Sequence, residues 1–220
     1  MNGIFRLDRS ARALYNGKGQ RWDPVARSWR DSPESHDTDQ GERPPDEAMD
    51  AIAAATWLQR ESGHPVRVPI GVIGPHEATP GQIAAAERVG AGLAAMGLAI
   101  VCGGREGVME AVCRGAARHD GIAIGILPDT DPSLANSHVT ISLATGLGEA
   151  RNAVIARAAL ALIAIGDSYG TLSEVALGLH FGKRVIGLEG TARIAGVEHV
   201  ASADAALNAI ALHVLATKSA

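Results

Sequence analysis

The residues best suited to chemistry cluster in Gly166-Asp167-Ser168-Tyr169-Gly170-Thr171-Leu172-Ser173-Glu174. This turn carries glycines and the hydroxyls of Ser168 and Thr171 between an apolar run and an amphipathic segment. A strand that feeds a tight turn and then a helix leaves backbone N–H groups free. The positive end of the helix dipole adds to them, and together they make an anion site. Glu174 falls in the first turn of that helix. A carboxylate there either stabilises the dipole or stands as a reactive group beside a bound phosphate ester. Arg151 is the second candidate. It falls in the N-terminal turn of another expected helix, where the dipole disfavours a cation. It therefore either points to water or answers an anionic ligand or a carboxylate. The third candidate is Gly103-Gly104-Arg105-Glu106-Gly107. Its glycines permit close backbone approach to a phosphate, or simply a tight turn. Gly74, which closes the first expected strand of the main domain, joins the ligand-binding set.

Several familiar chemistries are absent from these turns. The 103–107 turn is not GxGxxG and lacks an acid at the ribose-binding offset, so an ordinary dinucleotide site is not indicated. The 166–171 turn lacks the lysine of a P-loop. Ser168 has no GxSxG context, which removes the nucleophile-elbow reading. The histidines show no metal-ligand spacing, so no metal site is expected.

The elements that position these turns alternate. Strands are expected at 70–73, 98–102, 122–127, 139–143, 159–165 and 184–188, with a short one at 199–200. Helices are expected at about 80–96, 108–118, from 145–148 onward, 171–181 and 203–216. The 159–165 segment is apolar at every position, as a strand buried between two helix layers must be. Strands separated by helices imply parallel pairing and right-handed crossovers. The fold class is therefore α/β, with a doubly wound, mostly parallel Rossmann-type sheet over 68–217 and an N-terminal hairpin and helix extension. In such sheets ligands bind beyond the strand carboxyl ends, where the strand order switches. The turns at 103–107, 145–148 and 166–170 all follow strand carboxyl ends.

The extension differs from the rest. Residues 1–30 hold seven basic residues against two acids, and Asn16-Gly17 marks a hairpin turn. This stretch is read as a basic, aromatic hairpin arm in which Trp22 and Trp29 pack. Residues 31–43 read as an acidic linker. Pro44-Pro45-Asp46-Glu47 then resembles a helix start, giving a helix over 44–63. Over the whole chain of 220 residues the net charge is −4, which argues against nucleic acid as a partner. No apolar run reaches membrane-spanning length, and no membrane association is expected. Cys102 and Cys113 form no CxxC pattern and fit a reducing cytoplasm.

Three ordered motifs carry a family resemblance. They are Gly103-Gly104-x-x-Gly107-Val108-Met109-Glu110-Ala111, then Thr145-Gly146 with Arg151-Asn152, then Tyr169-Gly170-Thr171-Leu172-Ser173-Glu174. Over about 69–190 the chain resembles the LOG-like (Lonely Guy) nucleotide-binding superfamily, once labelled possible lysine decarboxylases. LOG enzymes release a base and ribose 5-phosphate from a nucleoside monophosphate. The resemblance places the family's catalytic pair on Arg151 and Glu174. It places ligand contacts on Gly74, Gly103, Gly104, Gly107, Thr145, Gly146, Asn152, Gly166, Ser168, Gly170 and Thr171. Departures are specific. The signature's Pro-Gly-Gly is Gly166-Asp167-Ser168, its lysine is Asn152, and the first glycine turn is shorter. These variations resemble a branch that includes molybdenum-cofactor carrier proteins, which hold a phosphorylated pterin without transforming it.

Two functions follow as expectations. The first is binding of a phosphorylated, nucleotide-like small molecule, either a nucleotide or molybdenum cofactor, with no cofactor required. The alternative is a nucleoside 5′-monophosphate phosphoribohydrolase. Lysine decarboxylation is not expected, since the motifs hold no lysine for PLP. The resemblance also implies a homodimer or higher homo-oligomer.

Overall fold

The computed structural model describes residues 5–31 and 47–216. The chain divides into two compact units, one of residues 1–65 with 208–220 and one of residues 66–207.

The first unit is built on an antiparallel sheet of five strands in the order β4-β3-β2-β1-β5. These are β1 (Phe5–Asp8), β2 (Ala13–Tyr15), β3 (Arg21–Asp23), β4 (Ser28–Arg30) and β5 (Glu47–Met49). The expected hairpin is thus part of a larger meander. The reversal between β2 and β3 spans 16–20: the Asn16 side-chain oxygen accepts from the backbone N–H groups of Lys18 (2.9 Å) and Gln20 (3.1 Å). The two tryptophans do pack, edge to face at 5.1 Å between ring centroids, and Phe5 stacks on Trp29 at 5.8 Å. The Trp29 indole N–H donates to the Leu215 carbonyl at 2.8 Å.

The helix expected over 44–63 is corrected by the structure. Residues 32–43 of the acidic linker and the Pro44-Pro45 start lie outside the described residues. Glu47–Met49 is a strand, held to β1 through Phe5↔Met49 and Leu7↔Glu47. The helix α1 runs Ala51–Arg60. Asp50 caps it, its carboxylate accepting from the Ala53 N–H at 2.8 Å. Long-range pairing to β1 overrides the local helix-start signal.

The second unit holds a parallel sheet of seven strands in the order β12-β11-β10-β6-β7-β8-β9. In chain order these are β6 (Ile70–Ile73), α2 (Pro80–Met96), β7 (Ile100–Cys102), α3 (Val108–Ala117), β8 (Ala123–Leu127), β9 (Ile141–Ala144), α4 (Arg151–Ala158), β10 (Ala161–Ile165), α5 (Tyr169–His180), β11 (Arg184–Leu188) and β12 (Val197–His199). The final helix α6 (Ala203–Ala216) begins in this unit and ends in the first. All five residues of β10 and all four of β6 are buried. That burial explains the unbroken apolar run, because helices cover both faces of these central strands.

The chain builds outward from β6 through β7 and β8 to β9. It then crosses back through α4 to lay β10 on the other side of β6. The order reverses between β6 and β10, so the carboxyl ends of these two strands flank the crevice where such sheets take ligands. Among the described residues, no helix is long and apolar enough to cross a membrane.

Candidate functional site

A cavity of about 860 Å³ opens at that crevice. Each wall comes from a segment leaving a strand carboxyl end. Gly74, Pro75 and His76 follow β6, Gly103 and Arg105 follow β7, and Pro128 and Asp129 follow β8. Arg151 and Asn152 come from α4, and Ser168 to Thr171 with Glu174 from the start of α5.

The floor is set by α5. Ser168 is its N-cap, and its hydroxyl accepts from the Thr171 N–H at 3.1 Å. The Ser168 and Thr171 hydroxyls lie 2.9 Å apart. The Tyr169 and Gly170 N–H groups stand in the first turn, where a helix offers no internal acceptor. Ser168, which stands where the family signature has its second glycine, therefore serves as the cap of α5. Asp167 is exposed and does not line the cavity, so its carboxylate does not oppose an anion there.

Arg151 is the first residue of α4 and is only 7% exposed. It does not point to water. Its Nη1 lies 3.6 Å from Glu174 Oε1, an ion-pair contact too long for a good hydrogen bond. Its Nε and Nη1 have no hydrogen-bond partner among the described residues. Glu174 is 6% exposed. Burial pushes its carboxyl up to about 8; Arg151 pulls it down, and Glu149 adds to the rise. The pair is thus a buried cation beside a carboxyl that burial favours in its protonated form. Desolvating an arginine without saturating its donors is costly, and a bound anion would supply the missing acceptors.

The glycine turn after β7 serves this arginine. A Cβ on Gly103 would stand 2.6 Å from Arg151 Nη2 and 2.5 Å from the Met109 sulfur. Gly103 therefore leaves room for the guanidinium. Gly107, at φ +67°, lets the start of α3 pass against the Pro75 and His76 carbonyls, and Val108 N–H donates to Pro75 O at 3.1 Å. Asn152 ties α4 to α5, its side-chain N–H donating to the Ser173 hydroxyl at 2.8 Å.

Of the residues expected at the site, Gly74, Gly103, Arg151, Asn152, Ser168, Gly170, Thr171 and Glu174 share this cavity. Gly104, Gly107, Thr145, Gly146 and Gly166 do not line it. Thr145 instead braces its loop: its hydroxyl donates to Leu127 O at 2.7 Å and accepts from Leu147 N–H at 3.3 Å. Gly104 packs on Gly125, Gly146 lies beside Thr130, and Gly166 sits under the Gln82 side chain. The sequence reading missed His76, Arg105, Asp129, Glu149 and Tyr169 as wall residues. Arg105 and Tyr169 stood inside the quoted motifs, which was the available signal. Among the described residues, no group of three or more His, Cys, Asp or Glu side chains could hold a metal ion.

The SLOG cluster4 family pattern matches residues 67–214, well over half of the chain. The chain belongs to the SLOG cluster4 family. This family stands within the LOG-like superfamily that the three motifs resemble. A solved structure, the molybdenum cofactor binding protein of the phototrophic bacterium Rippkaea orientalis, is 37% identical with a TM-score of 0.61. That match covers 67% of this chain and 96% of the other. The molybdenum cofactor carrier protein of Chlamydomonas reinhardtii is 32% identical with a TM-score of 0.62, covering 67% and 99% respectively. An uncharacterized protein of Archaeoglobus fulgidus is 40% identical over 139 residues, covering 63% of this chain and 91% of its own length. The SLOG match begins at residue 67, so the N-terminal sheet lies before it.

Proposed function

We propose that this SLOG protein is a carrier or sensor that holds a phosphorylated, nucleotide-like small molecule, with molybdenum cofactor as the favoured ligand. The observation that carries the reading is Arg151, a buried guanidinium with two unpartnered nitrogens on the wall of a large cavity. A phosphate bridging Arg151 and the N–H groups at the start of α5 gains charge-assisted hydrogen bonds and the helix dipole together. Tyr169, 91% exposed on the rim, offers an aromatic face to a stacked heterocycle. The similarity to two molybdenum-cofactor-binding proteins favours a pterin phosphate over a nucleotide.

A second reading, hydrolysis of an N-glycosidic bond of a nucleoside monophosphate, rests on Arg151 and Glu174 facing the same cavity. That chemistry needs an ionised carboxylate near the anomeric carbon. Burial pushes the Glu174 carboxyl up to about 8, which favours its neutral form at pH 7. Binding without turnover is therefore preferred. The test incubates the protein with AMP, CMP and GMP and follows free base by chromatography. The carrier reading expects none. Base release by wild type that is lost in Glu174→Ala would establish the hydrolase instead.

We further place the protein in the cytoplasm, where the buried, unlinked Cys102 and Cys113 stay reduced. The protein is also proposed to self-associate. The edge strand β9 exposes Ile141 (46%) and Leu143 (47%), and Leu147 (52%) is exposed in the loop that follows it. A second copy covering this face would remove an unpaired edge and an apolar patch together. Light scattering is expected to report a dimer or larger; a strict monomer at micromolar concentration would count against it.

A further inference from the structure

The cavity holds a second arginine that the anion-site reading leaves unused. Arg105 lies two residues beyond Gly103 in the turn after β7. Its guanidinium is ion-paired with Asp129, which follows β8. Both side chains line the same cavity as Arg151 and Thr171. They sit at its mouth, 40% and 36% exposed, whereas Arg151 is buried deep. The backbone under Arg105 is fixed. Asn136 donates its side-chain N–H to the carbonyls of Gly104 (3.1 Å) and Arg105 (2.9 Å), and its own N–H to Gly104 O (2.9 Å). The side chain is thus free to change partner while its anchor holds still.

We propose that Arg105 is a second anion-binding group, which exchanges Asp129 for an outer anionic group of the ligand. The site would then select molecules with two separated negative groups, one at Arg151 and the α5 N-terminus and one at the mouth. This inference rests on the reading that the cavity binds a phosphorylated ligand. Three physical points support it. A half-exposed ion pair contributes little, so giving it up costs little. A planar guanidinium pairs with phosphate in two-pronged geometry, so the exchange returns at least as much. The cavity volume of about 860 Å³ also lies in the upper part of the range for small-molecule sites, leaving room beyond a single phosphate subsite.

The test measures binding of AMP, ADP and adenosine 3′,5′-bisphosphate by calorimetry to wild type, Arg105→Gln and Asp129→Asn, with melting curves as the folding control. Wild type is expected to bind at least one two-phosphate probe about tenfold tighter than AMP. Arg105→Gln should erase that gain. Asp129→Asn should widen the gain, because the competing carboxylate is gone. The two variants act through different side chains, so a folding failure in one leaves the other decisive. No gain from a second phosphate, a gain that survives Arg105→Gln, or a loss of gain in Asp129→Asn would overturn the inference. AMP binding that vanishes in Arg151→Met without any second-phosphate gain would remove this inference alone and keep the carrier reading.

Discussion

Arg151→Met is expected to abolish ligand binding while leaving the unliganded protein as stable as wild type or more so. The opposite signs follow from the same geometry. In the free protein, Arg151 is buried with Nε and Nη1 unpartnered, and each unsatisfied buried donor costs about 1–3 kcal/mol. Glu174 at 3.6 Å returns little of this at neutral pH, because burial keeps its carboxyl largely protonated there. Methionine fills a similar space with no donor to satisfy, and such replacements of buried charge are often neutral or stabilising. In the complex, the same nitrogens supply the deep contacts to the anion. Their loss should weaken binding by about 100-fold or more. Urea denaturation and calorimetry with AMP and a pterin monophosphate read the two effects separately. A stability loss of about 3–5 kcal/mol would instead mark a buried ion pair with an ionised Glu174, because only then does removing the arginine strand a charge.

The second large effect is on pH dependence, and Glu174 dominates it. Its carboxyl rises from an ordinary 4.5 in the unfolded chain to about 8 in the folded protein. Between these values the native state holds a proton that the unfolded state has lost. Stability from this group is therefore fully present below 4.5 and is lost as pH rises through 8. The slope from one proton is at most about 1.4 kcal/mol per pH unit. Glu174→Gln keeps the neutral shape and removes the titration. The stability difference, wild type minus variant, should thus fall steadily across this window. Ligand affinity has a linked trend. A bound phosphate disfavours a carboxylate beside it, so binding above pH 8 takes up a proton and weakens as pH rises further. A wild-type profile parallel to that of Glu174→Gln would mean that Glu174 is ionised in the folded state.

Much of the fold was legible because its signals are local. The run 159–165 is apolar throughout since β10 lies at the centre of a parallel sheet, and the capped helix α2 keeps its expected bounds, Pro80–Met96. What was hidden depends on contacts between distant residues. β5 exists through pairing with β1, some forty residues earlier, while the local prolines and acids argued for a helix. The direction of Arg151 was undecidable along the chain. The space it enters is left by Gly103, a residue whose sequence context indicates a phosphate-binding or simply tight turn. Thr145 carried a family motif yet spends its hydroxyl on Leu127. Arg105 and Asp129 come together from separate loops, a pairing that no spacing in the sequence announces.

The Arg151 cavity is expected to hold a phosphorylated small molecule and to leave it intact. Native mass spectrometry of the full chain, isolated from cells that make it naturally, tests this most directly. Wild type is expected to carry a bound mass that contains phosphate and is released unchanged on denaturation, while Arg151→Met from the same cells carries none. Wild type that is consistently empty, and that ignores added nucleotides and pterin phosphates, would contradict the account.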